Sequence, residues 1–256
     1  AKDTEQAKDT EQAKDTEQAK DTEQPKDAEQ AKEPEQTKDA EQEKHASQVK
    51  HAKQKSVDRT TPAIHVTDLT KTYDSHVVFE NLSLTIPSGT TTCLMAPSGA
   101  GKTTLLRILM GLEPPDSGTI TGLEGKKIST AFQEPRLCEN LSAFTNIRMV
   151  RKKKPQEKTK ETWKEIHHAM ETLGLGGHEH QPVHEMSGGM RQRVALLRAL
   201  YAQWDILFLD EPFQGLDQET KEKTMTYLKD TCQGKTIVLV THSQEEAEKM
   251  GPIITL

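Results

Sequence analysis

The segment at residues 96–104, APSGAGKTT, combines glycines with one lysine and two threonines. An apolar, β-branched run at 90–95 precedes it and a helical pattern at 103–110 follows, which predicts a loop between a buried strand and a helix. Backbone N–H groups of such a loop, with the helix amino terminus behind them, form a concave anion site. We therefore predict a phosphate-binding loop in which Lys102 reaches the β- and γ-phosphates of a nucleotide and the Thr103 hydroxyl ligates Mg²⁺.

The whole loop is expected to contact the phosphates. Its predicted nucleotide-binding residues are Ser98, Gly99, Ala100, Gly101, Lys102, Thr103 and Thr104. Ala96 occupies the position at which loops of this pattern usually have their first glycine. Because glycine has no Cβ, we expect the Cβ of Ala96 to affect nucleotide affinity. The loop alone fits a GTPase, a kinase, a helicase or a transport ATPase, so further motifs must decide.

A second glycine motif, MSGGMRQR at residues 186–193, opens a predicted helix that continues to residue 202. Glycines 188 and 189 allow close approach of another chain or ligand, and the Ser187 hydroxyl can donate to a phosphate. The positive end of the helix dipole then faces that phosphate. The motif therefore predicts a second group of phosphate contacts, made by Ser187, Gly188 and Gly189.

Two adjacent acids, Asp210 and Glu211, follow the apolar run at 206–209. At the carboxyl end of a strand the first carboxylate can bind Mg²⁺ and the second can polarise an attacking water. We assign Asp210 to the metal and Glu211 to general-base catalysis.

Together these motifs resemble the ATP-binding cassette (ABC) ATPases, and the resemblance spans roughly residues 63–256. It implies ATP and Mg²⁺ as cofactors and roles for four further residues. Gln133 would contact Mg²⁺ or the attacking water, Asp217 would cross to a second subunit, and His242 would contact the γ-phosphate. Tyr73 would stack on adenine, although the sequence also allows a core tyrosine at that position.

The fold class expected is α/β. Alternating strands and helices after residue 186 predict a mostly parallel central sheet, with strands also expected at 63–66, 77–79 and 82–86. The resemblance implies a P-loop NTPase fold over residues 62–256, with an antiparallel β subdomain and a small helical subdomain at about 138–190. Residues 1–61 are predicted to be a disordered tail and linker, because the hexads at 1–54, beginning with AKDTEQ, contain almost no large apolar side chain.

Charge and cysteine usage limit the partners. Residues 1–54 hold 10 Lys against 15 Asp plus Glu, a net of −5 out of −6 for the chain, so nucleic acid is not expected to bind. Cys93, Cys138 and Cys232 are widely spaced and predict reduced thiols in a cytosolic protein. The histidines within 178–184 are expected to lie in a solvated loop rather than to bind metal.

The resemblance implies a head-to-tail homodimer with ATP at its interface, serving separate permease subunits and a solute-binding protein. Such a subunit would be cytoplasmic and peripheral on the inner face of the membrane. The short domain with FQEPRL at 132–137, ENLS at 139–142 and DEPF at 210–213 is most similar to importer ATPases of the nitrate, sulfonate, taurine and bicarbonate group. An exporter or lipoprotein-release ATPase, a non-transport ABC ATPase acting on nucleic acid or ribosomes, and an adaptor role for the tail remain alternatives.

Overall fold

A computed structural model describes residues 62–74, 76–97, 99–151 and 159–256. The predicted disorder of the tail at 1–61 concerns residues outside that description, as does the predicted phosphate contact of Ser98.

Three strands form an antiparallel sheet in the order β2-β1-β4. They are β1 (Pro62–Tyr73), β2 (His76–Pro87) and β4 (Ser117–Thr121). Where the sequence predicts separate short strands, the structure has two long ones, since β2 runs unbroken through 77–79 and 82–86. The pairing of β1 with β2 shifts register at several points, and Asp68 and Asn81 have φ of 49° and 52°. These irregularities interrupt the two-residue alternation that marks a strand.

A second, five-stranded sheet is parallel throughout, in the order β5-β6-β7-β3-β8. Its strands are β3 (Thr91–Met95), β5 (Ile128–Ala131), β6 (Ile206–Asp210), β7 (Thr236–Val240) and β8 (Ile253–Thr255). All residues of β6 and β7 are buried, which explains why both read as continuous apolar runs rather than alternating ones. The predicted parallel central sheet is confirmed.

Helices cover the parallel sheet and form a separate cluster beside it. They are α1 (Lys102–Leu109), α2 (Ala143–Arg148), α3 (Thr159–Thr172), α4 (Gly188–Tyr201), α5 (Gln218–Thr231) and α6 (Gln244–Met250), with a 3₁₀ turn at Val183–Glu185. Among the described residues, no helix combines the length and the apolar character needed to cross a bilayer.

Three apolar clusters hold these elements together. The first joins the antiparallel sheet and α1 to one face of the parallel sheet, as Leu69, Leu105 and Phe208 illustrate. The second packs α4, α5 and α6 on strands of the same sheet, and the third joins α2 and α3 to α4. Neighbouring residues of α4 enter different clusters, Leu196 the second and Leu197 the third. Helix α4 therefore fixes the glycine motif at its start relative to both layers.

Candidate active site

A cleft of about 460 Å³ lies at the carboxyl edge of the parallel sheet. The phosphate loop follows β3, Gln133 follows β5, Asp210 ends β6, and His242 follows β7. Because parallel strands end at the same edge, four distant stretches of sequence meet there. The residues that line the cleft are Gly99, Gly101, Lys102, Thr103, Thr104, Gln133, Asp210, Glu211, Gln214 and His242.

The phosphate loop is shaped by Gly101, which has φ of 85° at the start of α1. A Cβ at this position would lie 2.3 Å from Val78 Cγ1 and 2.6 Å from Phe79 Cζ, so only glycine fits. Lys102 Nζ donates to the carbonyl oxygens of Ala96 at 2.7 Å and Pro97 at 3.1 Å. The ammonium group is therefore held by the carbonyl groups of the loop itself.

Oxygen atoms that could ligate Mg²⁺ lie close together beside the loop. Thr103 Oγ1 donates to Asp210 Oδ2 at 3.3 Å, and Asp210 is only 3% exposed. Burial raises the pKa of Asp210, as does neighbouring Glu211, while the Thr103 hydroxyl and Lys102 lower it. A hydroxyl, a carboxylate and the amide oxygen of Gln133 form the hard-oxygen set that Mg²⁺ prefers, so these residues fit the metal.

Glu211 is held in an uncommon backbone conformation, with φ of 46°. Its N–H donates to Val240 O at 2.9 Å, and its own carbonyl accepts from the buried Gln192 amide at 3.4 Å. Its carboxylate oxygen Oε2 lies 2.9 Å from His242 Nδ1. Strain of this kind, which costs about 1–3 kcal/mol, persists where the surroundings impose it and often marks a functional residue.

Gln214 is a cleft residue that the sequence analysis missed. Its Oε1 accepts a hydrogen bond from Gln133 Nε2 at 3.1 Å. The two residues are 81 positions apart, and no spacing pattern connects them. The available signal was weak: a polar side chain three residues after Glu211.

The second glycine motif lies outside the cleft of its own chain. Ser187 and Gly188 are exposed, and Ser187 Oγ accepts from Met190 N at 3.3 Å as the cap of α4. Gly189 approaches the loop before α5, since a Cβ there would lie 3.2 Å from Gly215 O. Asp217 likewise is not a lining residue and caps α5. One chain thus brings together the phosphate loop and the acids, but not the Ser187 loop.

Tyr73 lies beside the cleft rather than in its lining. The side chain is 41% exposed, so it is not the core tyrosine that the sequence also allowed. Its hydroxyl donates to the Glu113 carboxylate, and Lys71 Nζ lies 5.1 Å from the ring centroid. The hydrogen bond to Glu113 raises the pKa of Tyr73, and a contact with Thr104 lowers it. That contact places the ring next to the first turn of α1.

Known proteins resemble this chain over most of the residues that the structure describes. The model of the ABC transporter family matches residues 79–214. The spermidine/putrescine import ATP-binding protein PotA of Spiroplasma citri is 38% identical over 200 residues, which cover 73% of this chain and 56% of that protein. The sulfate/thiosulfate import ATP-binding protein CysA of Mycobacterium bovis is 36% identical over 201 residues, with the same coverage. The chain therefore spans about half the length of the curated relatives it matches.

Solved structures agree. One is a dimeric ATP-binding cassette in a post-hydrolysis state with ADP and Pi bound (TM-score 0.66, 30% identity, covering 75% of this chain and 94% of that one). Another is a dimeric bacterial ABC transporter cassette (TM-score 0.67, with the same identity and coverage). These similarities confirm the predicted α/β P-loop NTPase fold.

Proposed function

The chain belongs to the ABC transporter family, and on that premise we propose that it hydrolyses ATP as the nucleotide-binding subunit of an importer. One observation carries the proposal. The phosphate loop with Lys102, the Thr103–Asp210 pair and the Glu211–His242 pair all line one cleft. Such a cleft can bind a triphosphate and activate a water beside it.

Each residue has a distinct part in the proposed reaction. Lys102 leaves its loop carbonyls and neutralises the β- and γ-phosphates. Thr103, Asp210 and Gln133 would hold Mg²⁺, which would supply positive charge that stabilises the transferring phosphoryl group. Glu211 orients and deprotonates the attacking water. His242 holds the Glu211 carboxylate in place and would contact the γ-phosphate.

A second copy of the chain completes the proposed site. Ser187 and Gly188 are exposed, Gly189 is half-buried, and none of the three lines the cleft of its own chain, yet their chemistry suits a phosphate. A head-to-tail homodimer would place the Ser187 loop of one protomer over the ATP bound at Lys102 of the other, with Asp217 near the same interface. The dimeric state of both solved cassettes supports this arrangement.

The proposed partners are permease subunits and a solute-binding protein, with the cassette docked on the inner face of the membrane. Both relatives are named import ATP-binding proteins, which favours an importer over an exporter or a nucleic-acid-dependent ATPase. Those names concern polyamines and sulfate, so the finer likeness to nitrate, sulfonate and taurine importers stays a prediction.

The variant Glu211→Gln tests the proposal. Glutamine keeps the side-chain size but cannot take a proton, so bound ATP should persist and the dimer should accumulate. Size-exclusion chromatography with light scattering, with and without MgATP, measures this. Glu211→Gln combined with Lys102→Ala is the control and should stay monomeric. A Glu211→Gln protein that binds ATP but remains monomeric would contradict the proposed composite site.

A further inference from the structure

The amide groups of Gln133 and Gln214 form a hydrogen bond inside the cleft. We propose that Gln214 is a positioning residue, which orients the Gln133 amide so that its carbonyl oxygen faces the Mg²⁺ site. The inference rests on the proposed function, because it concerns the metal that accompanies ATP.

The pair lies where two cavities meet. Beside the cleft is a second cavity of about 350 Å³. Its lining includes Phe132 and Arg136, which do not line the cleft. Both cavities share Thr103, Gln133, Asp210 and Gln214 as lining residues. The Gln133 amide therefore borders the same space as the hydroxyl and the carboxylate assigned to the metal.

The backbone under Gln214 is well fixed. Gln214 N donates to Glu211 O at 3.1 Å, and the same carbonyl accepts from the Gln192 amide. Phe213, the residue before Gln214, is 1% exposed and packs in the second apolar cluster. An acceptor carried on this anchored turn can hold a side chain that comes from another loop.

The chemistry of the amide makes its orientation matter. A glutamine side chain has an oxygen that ligates hard cations and an NH₂ group that only donates. When Gln133 Nε2 donates to Gln214 Oε1, the Gln133 oxygen is left for the metal. A rotated Gln133 amide would set two carbonyl oxygens against each other and turn its NH₂ toward the cation. While Gln214 presents its oxygen, as it does here, it favours the ligating orientation of Gln133, and a glutamate at position 214, which only accepts, would favour that orientation alone.

Two substitutions at position 214 distinguish the effect of the hydrogen bond from the effect of side-chain size. Gln214→Met keeps the approximate length and removes the acceptor, whereas Gln214→Glu keeps an acceptor that cannot donate. Mn²⁺ binding in the presence of the non-hydrolysable analogue AMP-PNP, measured by electron paramagnetic resonance, is the primary readout. A net hydrogen bond of about 1 kcal/mol corresponds to about fivefold, so Gln214→Met should weaken Mn²⁺ binding by about that factor. Gln214→Glu should bind Mn²⁺ at least as tightly as the wild type.

AMP-PNP affinity in EDTA reports on the nucleotide site without the metal, and a loss in Gln214→Met that is confined to Mn²⁺ binding supports the positioning role. Gln203→Met, at an exposed residue that precedes β6 on the edge of the parallel sheet opposite the cleft, is the matched control. Equal Mn²⁺ affinity in wild type and Gln214→Met would overturn the inference.

A double-mutant cycle identifies the route of the effect. If Gln214 acts through Gln133, Gln214→Met should cause no further loss of Mn²⁺ binding in a Gln133→Ala background. Additive losses would show that Gln214 acts on the metal independently and would overturn the positioning role. A wild-type chain that binds no Mn²⁺ with AMP-PNP would instead refute the proposed function itself, and the inference with it.

Discussion

Replacement of the two glycines of the phosphate loop by alanine should have unequal effects on stability. Gly99 and Gly101 have nearly the same left-handed backbone, with φ of 83° and 85°. A Cβ at residue 99 would meet no atom within 4 Å, whereas at residue 101 it would lie 2.3 Å from Val78 and 2.6 Å from Phe79. Both alanine variants therefore carry the same backbone penalty, and only Gly101→Ala carries a steric penalty in addition.

The magnitude follows from these two contributions. A non-glycine residue in the left-handed region costs about 1–2 kcal/mol, which applies to both variants. Gly101→Ala also overpacks the first apolar cluster, at about 1–3 kcal/mol, because Phe79 is buried and packs within it. For a domain of about 150–250 residues, 1 kcal/mol shifts Tm by about 2–4 °C, so Gly101→Ala should melt about 2–12 °C below Gly99→Ala.

Thermal unfolding followed by circular dichroism, without nucleotide, measures the difference directly. Urea unfolding of the two variants should give the same order of midpoints. Equal Tm values for Gly99→Ala and Gly101→Ala would refute the close packing of the phosphate loop on β2.

Two further predictions concern residues away from the cleft. Cys138 is exposed, whereas Cys93 and Cys232 are buried and burial raises the pKa of each thiol to about 11. Ellman's reagent should therefore titrate one thiol rapidly in the native chain and three after denaturation; more than one fast thiol would contradict this burial. Asn146 is fully buried, and its NH₂ group shares its two hydrogens among three backbone carbonyl oxygens, those of Cys138, Leu141 and Ser142. Asn146→Ala should lower the free energy of unfolding by about 2–4 kcal/mol in urea titrations, and a loss below about 0.5 kcal/mol would count against that network.

Local sequence patterns were sufficient to predict the strands in which every residue is buried. Strands β6 and β7 are predictable because every residue is apolar or buried, and the chemistry that follows them is adjacent in sequence. Glycine and lysine spacing in the phosphate loop likewise reflects local geometry, so its cleft residues could be found without a structure.

Other elements lack such a signal. Strand β4 is exposed at four of its five residues, and helix α6 is short and rich in charged residues, so neither shows a clear apolar period. Asp68 and Asn81 break the alternation in long strands through their positive φ. The Gln133–Gln214 contact depends on two loops that meet only when β5 and β6 pair, which sequence spacing does not reveal.

Mixing two defective chains tests most directly whether the active site is shared between protomers. Lys102→Ala and Ser187→Ala are each introduced into a Glu211→Gln background, and dimer formation is followed with MgATP. In a head-to-tail heterodimer, one site carries both defects and the other is intact. We predict that the mixture dimerises with ATP although neither variant does so alone. A mixture that stays monomeric, while the parent Glu211→Gln protein dimerises, would contradict a site built from Lys102 of one chain and Ser187 of the other.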